Sequence, residues 1–313
     1  MKVQGKTLPV HELTANQPSE FAELLASATE DDFSGVFRPD LVEQMRKQTG
    51  WPLSELMLRL GSIAKLYAYA PISKFHVGAV ALGSSGALYF GCNLEFPGQA
   101  LSFVTHAEQS AITHARYRGE PGVEALAISA APCGYCRQFL NELREGSQLA
   151  IHLSTGSTTL GTLLPDSFGP EELKNTSRLL DPQDHHLILD SHRQEDSVIR
   201  AAIDAANTSY APYSSNFSGV ALETSSNQIF AGSYEENVAA NPSLSPMEAA
   251  LTALNFSGLG FTDIARAVLV ENADSQCSQQ SATSAVLAAV APAIRLEYFT
   301  ATSTEPPMAR SER

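Results

Sequence analysis

No stretch of this chain approaches the ~18 consecutive apolar residues of a membrane-crossing helix. The opening Met1-Lys-Val-Gln-Gly-Lys-Thr-Leu-Pro also lacks the unbroken apolar core of a signal peptide. A membrane partner is therefore not expected. Cysteine is scarce too: four in 313 residues do not make a disulfide framework, which fits a reducing compartment and makes the cytoplasm the expected location. Basic residues are few. Lys and Arg number 20 against 34 Asp and Glu, a formal net charge of −14, and no basic run occurs. Proteins that grip nucleic acid present cations to the phosphates, so no nucleic-acid partner is expected and a small neutral ligand fits better. The remainder, 43% hydrophobic and 17% charged, describes a globular chain long enough for more than one domain.

Against this background one constellation stands out. His106-Ala-Glu108 is followed 24 residues later by Pro132-Cys133-Gly-Tyr-Cys136. One imidazole and two thiols are borderline-to-soft donors suited to Zn²⁺, and Cys92 and Cys277 do not form a second Cys-x-x-Cys to close the shell. Three protein ligands leave a position for water, the mark of a catalytic rather than a structural zinc. Zinc polarises that water toward hydroxide, and Glu108, a carboxylate outside the ligand set, can take its proton and hand it on.

The local sequence supports this grouping. Thr105 before His-Ala-Glu-Gln-Ser-Ala reads as a helix start with Thr105 as a cap and Glu108 in the acid-favouring first turn. Pro132 before Cys133 reads as a second start, where the helix dipole favours thiolate. Two thiolates cancel the charge of Zn²⁺, and the dipole and Arg137 are expected to restore part of the acidity of the bound water. Taken singly, a Cys-x-x-Cys is as readily a redox pair or half a structural site, and a lone histidine is as readily an ordinary core residue. The combination favours a catalytic centre.

A second signal is internal repetition. Tyr69-Ala-Pro-Ile-Ser-Lys-Phe75-His-Val-Gly78 matches Tyr210-Ala-Pro-Tyr-Ser-Ser-Asn-Phe-Ser-Gly219, an offset of 141. Continued at 140, His106-Ala-Glu108 falls on Pro246-Met-Glu248, and Cys133 and Cys136 fall on Ala273 and Gln276. The second copy should therefore be zinc-free. The pattern in the first copy predicts strands 75–83 and 87–92, helix 106–118, strand 123–130, helix 134–145 and strand 148–153. The second predicts strands 217–223 and 227–232, helix 246–257, strand 263–271, helix 280–291 and strand 294–300. The expected class is α/β: duplicated three-layer domains with mixed sheets flanked by helices. Helical periodicity in 19–28, 38–48 and 52–69 makes a small helical prelude. Expected boundaries are a helical segment 1–50, a zinc-binding domain 51–165, a linker 166–195, a degenerate domain 196–302 and a frayed tail 303–313. His185, His186 and His192 sit in the linker among polar neighbours and read as solvated. His114 is too far along its helix from His106 to share a metal.

The residues now resemble a family. The His-x-Glu…Pro-Cys-x-x-Cys order is the signature of zinc-dependent nucleobase deaminases. With Ala-Pro-Ile-Ser-Lys-Phe75, Phe90-Gly-Cys-Asn93-Leu-Glu95-Phe, His106-Ala-Glu108-Gln-Ser-Ala, Pro132-Cys133-Gly-Tyr-Cys136-Arg-Gln-Phe and Leu163-Leu-Pro-Asp-Ser-Phe168-Gly-Pro, residues 50–300 resemble cytidine deaminases of the long, two-domain homodimeric type found in bacteria and plants. The resemblance implies one Zn²⁺ per subunit on His106, Cys133 and Cys136. It further implies attack at C4 of cytidine or 2′-deoxycytidine with Glu108 as proton shuttle, in pyrimidine salvage. It implies that Phe75 packs on the base, Asn93 and Glu95 hold the ribose 3′-hydroxyl, the main chain of Ala107 contacts the pyrimidine, and the carbonyl of Ala131 accepts from the leaving amine. Phe168 would reach into the partner's site of a homodimer. Ala131 replaces the usual Ser or Thr; since that role belongs to the backbone, little loss is expected. On residue type alone, Phe75 could equally be strand core, Asn93 a turn residue, Glu95 a solvated edge charge and Phe168 packing under the linker.

Two other functions share parts of this pattern. A nucleotide or polynucleotide deaminase would use the same chemistry but needs a phosphate-binding basic cluster. A zinc-stabilised scaffold would carry a closed site.

Overall fold

The computed structural model describes residues 2–7, 18–29 and 33–304. After a two-stranded ribbon at Lys2–Val3 and Lys6–Thr7 come helix Ser19–Ala28 (α1), strand Val36–Phe37 (β1) and helices Pro39–Thr49 (α2) and Leu53–Ala64 (α3). The first copy continues with Gly78–Gly83 (β2), Leu88–Cys92 (β3), Ala107–Tyr117 (α4), Val123–Ile128 (β4), Gly134–Leu140 (α5), Ala150–Leu153 (β5) and Gly156–Thr159 (β6). A short strand Leu187–Ile188 (β7) precedes the second copy. That copy contains Ser197–Asn207 (α6), Ser218–Thr224 (β8), Ile229–Ser233 (β9), Pro246–Phe256 (α7), Ile264–Asn272 (β10), Gln280–Val290 (α8) and Leu296–Ser303 (β11). No helix among the described residues is long and apolar enough to cross a membrane.

The two sheets are built alike. The first has the order β1-β3-β2-β4-β5-β6 and the second β9-β8-β10-β11-β7. Only β4–β5 and β10–β11 are parallel, so both sheets are mixed. Register repeats with the chain: Ala79 faces Ile128 and Val220 faces Leu269, each partner 141 residues on. Alternation along a strand sends successive side chains to opposite faces. On β2, Val80 packs with Leu56 and Leu60 of α3, whereas Ala81 packs with Ala107 and Ala111 of α4. On β8, Leu222 joins Leu251 and Leu254 of α7 and Ala221 joins Ala202 of α6. The three-layer α/β class expected from the pattern is therefore present twice.

Several local outcomes differ from the pattern. Strand β1, inside the expected helical prelude, pairs with β3 and becomes an edge of the first sheet. The helix expected over 134–145 stops at Leu140, because Glu142 turns inward to serve the other copy. Its carboxylate accepts the hydroxyls of Tyr210 at 2.7 Å and Tyr213 at 2.9 Å and the amide of Val238 at 2.7 Å. The segment read as a solvated linker is also partly absorbed. Leu179 is buried in the first copy's core, β7 pairs with β11, and the His185 ring stacks on Phe217 with centroids 3.5 Å apart while its Nε2 meets Ser209 O. Apolar surface offered by both copies outweighs the polar composition there. Of the expected tail 303–313, residues 305–313 lie outside the described residues.

One close approach sets where α4 lies. A Cβ on Gly91 of β3 would stand 2.2 Å from Ala107 O and 2.4 Å from Ala111 N, so α4 rests directly on the strand backbone. Gly232, 141 residues on, does the same for α7, where a Cβ would be 2.1 Å from Ala250 N. Gly91→Ala must therefore lift the first turn of α4, at a cost of about 1–3 kcal/mol. A lowered thermal midpoint is expected, and a midpoint equal to wild type would contradict this packing.

Candidate active site

The first turn of α4 and the first turn of α5 converge. His106 is the N-cap of α4 with φ −85° and ψ 155°, and Cys133 is the N-cap of α5 with φ −69° and ψ 168°. Thr105, read from sequence as the cap, sits one residue earlier because Gln109 supplies the capping contact instead, its Oε1 accepting from His106 N at 3.1 Å. Cys133 Sγ lies 3.6 Å from His106 Nδ1 and 3.5 Å from Cys136 Sγ. The three donor atoms fall within 4.8 Å of one another, the only such group among the described residues.

A tetrahedral zinc with Zn–S of about 2.3 Å and Zn–N of about 2.0–2.1 Å separates two sulfurs by about 3.8 Å and sulfur from nitrogen by about 3.6 Å. The donor set fits zinc. Electrostatics agree. The Cys133 thiol is driven down to about 3, first by a hydrogen bond from Cys136 and further by His106, against the opposing pull of burial. Cys136 is pushed up as the partner that keeps the shared proton. Burial lowers the basicity of His106, but its contact with Cys133 outweighs that and raises it. Glu108, 4% exposed, lies against Cys136, and burial pushes its carboxyl above the ordinary range. Arg137 turns from the sulfurs to carbonyls, donating to Pro132 O at 2.9 Å and Leu163 O at 2.7 Å, and so braces the ligand loop.

The other residues singled out by sequence gather around this centre to different degrees. Asn93, 7% exposed, donates from Nδ2 to Phe75 O at 2.9 Å and accepts at Oδ1 from Val77 N at 2.8 Å. Glu95 accepts at Oε2 from Ile72 N at 2.7 Å and Ser73 N at 3.0 Å, and at Oε1 from the Ser73 hydroxyl. Burial opposes ionisation of Glu95, yet these donors hold its pKa below the ordinary carboxylate value. The reading of Glu95 as a solvated edge charge is thus replaced by a buried anchor. Phe75, which could have been strand core, is 60% exposed. Ala107 is buried at the first helical position of α4, and Ala131 is exposed on the loop before α5. Phe168 is 48% exposed, with its carbonyl held by Gln138 Nε2 at 2.7 Å. His114 lies apart, with Nδ1 against Phe90 O at 2.9 Å and its ring stacked on Phe256.

In the second copy the backbone register corrects the alignment. Leu94 bridges Thr105 and Glu235 bridges Leu244, so the intervening loop is two residues shorter there. Glu236 matches Glu95, accepting from Tyr213 N and Ser214 N. His106 therefore corresponds to the N-cap Ser245, Glu108 to Met247 and Gln109 to Glu248. The N-cap of α8 is Gln279, so the counterpart of Cys133 is an amide rather than Ala273.

Comparison with known proteins follows the same division. Family models described as the cytidine and deoxycytidylate deaminase zinc-binding region match residues 53–151 and 160–284. A cytidine deaminase of Photorhabdus laumondii subsp. laumondii is 44% identical over 292 residues, which is 93% of this chain and 98% of that protein. That of Proteus mirabilis is 46% identical over 262 residues, 83% of this chain and 88% of that protein. The crystal structure of the cytidine deaminase from Mycobacterium tuberculosis is 35% identical and covers 37% of this chain and 96% of its own, with a TM-score of 0.35. Fold, donor set and matched regions together define a zinc-dependent hydrolytic deaminase. The chain belongs to the cytidine deaminase family.

Sequence reasoning missed the residues that surround the ligands from behind. Tyr135 stacks on His106, with centroids 5.5 Å apart and planes at 23°, and its hydroxyl donates to Asn241 O of the second copy. Glu248, which burial pushes up to about 7, faces Thr105 from α7. Only the spacing His-x-x-Gln, a capping-box pattern, offered a sequence signal, and it concerns Gln109. Elemental analysis should find one zinc per chain, falling well below one in His106→Ala, Cys133→Ala or Cys136→Ala and unchanged in Cys277→Ala. Two zincs per chain would contradict the reading of the second copy.

Proposed function

We propose that the chain hydrolytically deaminates cytidine and 2′-deoxycytidine to the corresponding uridines and ammonia. The observation that carries this reading is a buried carboxylate, Glu108, set beside a His/Cys/Cys donor set and outside it. His106, Cys133 and Cys136 would hold a zinc ion, which when bound would supply a Lewis acid that makes water nucleophilic at neutral pH. Glu108 holds and moves the proton; burial raises its pKa above the ordinary carboxylate range, which favours its taking up a proton. At the N-terminus of α4 the amide of Ala107 has no partner within its own helix and is offered to the pyrimidine. The carbonyl of Ala131 accepts from the departing amine, and the exposed ring of Phe75 stacks on the base.

Recognition of the sugar follows from unused hydrogen-bonding capacity. After the contacts described above, Asn93 Nδ2 retains one hydrogen and Glu95 Oε1 one lone-pair direction. One donor and one acceptor complement a hydroxyl, here the ribose 3′-hydroxyl. Since both ribose and 2′-deoxyribose carry it, both nucleosides should react. Phe168 would enter a partner's site in a homodimer; its exposure on its own chain and the hold of Gln138 on its carbonyl support this reading. Residues 51–165 then form the catalytic domain and 196–302 a degenerate one, and a cytoplasmic role in pyrimidine salvage fits a small nucleoside substrate.

Glu108→Ala should keep its zinc and lose about 10²–10⁴-fold in kcat for ammonia release from cytidine. Removing the 3′-hydroxyl from the substrate should lower kcat/KM by about 10²-fold, the cost of leaving Asn93 and Glu95 unpaired. Zinc without turnover in wild type would mark a scaffold, and turnover of polynucleotide alone would mark a nucleic-acid deaminase; either result would overturn the proposal.

A further inference from the structure

Three contacts cross from the zinc-free copy to the backs of the zinc ligands. Helices α4 and α7 pack together with their first turns adjacent, and the third residue of each reaches over to the other copy. From α4, Gln109 accepts His106 N with Oε1 at 3.1 Å while its Nε2 donates to Pro242 O at 3.0 Å. From α7, Glu248 accepts Ser245 N at 3.1 Å with Oε2, while its Oε1 accepts the Thr105 hydroxyl at 3.4 Å. The third contact is Tyr135, lying between the two cysteines, whose hydroxyl donates to Asn241 O and whose ring covers His106. Thr105, Gln109 and Glu248 are all buried, so the Thr105–Glu248 and Gln109–Pro242 contacts form away from competing water, whereas Tyr135 meets Asn241 at an exposed position.

We infer that the zinc-free copy acts as a positioning element for the metal ligands of its own chain, with Asn241, Pro242 and Glu248 holding Tyr135, Gln109 and Thr105 and, through them, His106. Two features single out this role. Every route ends on the peptide or ring of His106 rather than on general core packing. The routes also survive where the catalytic residues did not: the register that exchanges Glu108 for Met247 keeps a polar capping residue, Glu248, at the position that crosses the interface. An imidazole fixed from behind loses less freedom on binding metal and leaves it more slowly, and supporting contacts of this kind are typically worth 10–100-fold in metal affinity.

This inference rests on the zinc-site reading but not on the identity of the substrate, so it is tested without turnover. Two nearly isosteric changes each delete one hydroxyl: Thr105→Val breaks the contact with Glu248, and Tyr135→Phe breaks that with Asn241 while keeping the stacked ring. The full-length holoenzyme is mixed with excess chelator at 25 °C and zinc release is followed, and the visible spectrum of the Co²⁺-substituted protein reports ligand geometry. Each variant should release zinc several-fold faster, the double variant at least about 10-fold faster, with an altered Co²⁺ spectrum and with Thr105→Ser restoring the wild-type rate. A fall in thermal midpoint with zinc release within twofold of wild type and an unchanged Co²⁺ spectrum would show that the contacts only hold the copies together, and would overturn the inference. Failure of the zinc assignment itself would instead appear as a wild-type chain that binds no stoichiometric metal.

Discussion

The structure depends on two helix N-termini being held against each other at the end of one sheet. His106 caps α4 and Cys133 caps α5, so each ligand sits where the backbone is leaving extended conformation and where unsatisfied amides create a positive end. That field favours thiolate at Cys133 and places Ala107 and Glu108 in the first turn of α4, beside the donor set. The spacing is not free to drift, because Gly91 lets α4 lie on the strand backbone and any side chain there would push the turn away. The donor set, Glu108 and the amide of Ala107 are thus fixed by a single packing contact and two caps.

Duplication explains how this arrangement is supported. The second copy keeps the sheet order, the glycine contact and the carboxylate under its own 213–214 loop, while the residues at its helix caps are Ser245 and Gln279. Its side of the interface is also heavily engaged. Buried Glu235 receives the Thr113 hydroxyl at 2.6 Å and pairs with Arg116, and Glu142 collects three donors from the second copy. Charged groups buried without such partners would cost several kcal/mol each, so the two copies fix their relative position through complementary polar atoms as well as apolar area.

Much of this was legible in the chain. Alternation and helical periodicity located most elements of both copies, though not α6 or β6, since most strands and helices bury one face against a regular neighbour, and the His/Glu/Cys/Cys spacing marked the donor set. What was not legible depends on contacts distant in sequence. The early end of α5 is dictated by Tyr210, Tyr213 and Val238, which no local pattern around Glu142 reveals. The two-residue deletion before α7 displaced the alignment, because Glu248 resembles Glu108 in type but Gln109 in backbone position. The half-buried fate of His185 likewise followed from Phe217, not from its polar neighbours.

A zinc with three protein ligands and one position left for water underlies the proposed chemistry. X-ray absorption at the zinc edge of the purified enzyme tests it most directly. The expected shell holds two sulfurs at about 2.3 Å and two lighter donors at about 2.0 Å, with only one of the lighter pair an imidazole. A third sulfur or a second imidazole in that shell would contradict it.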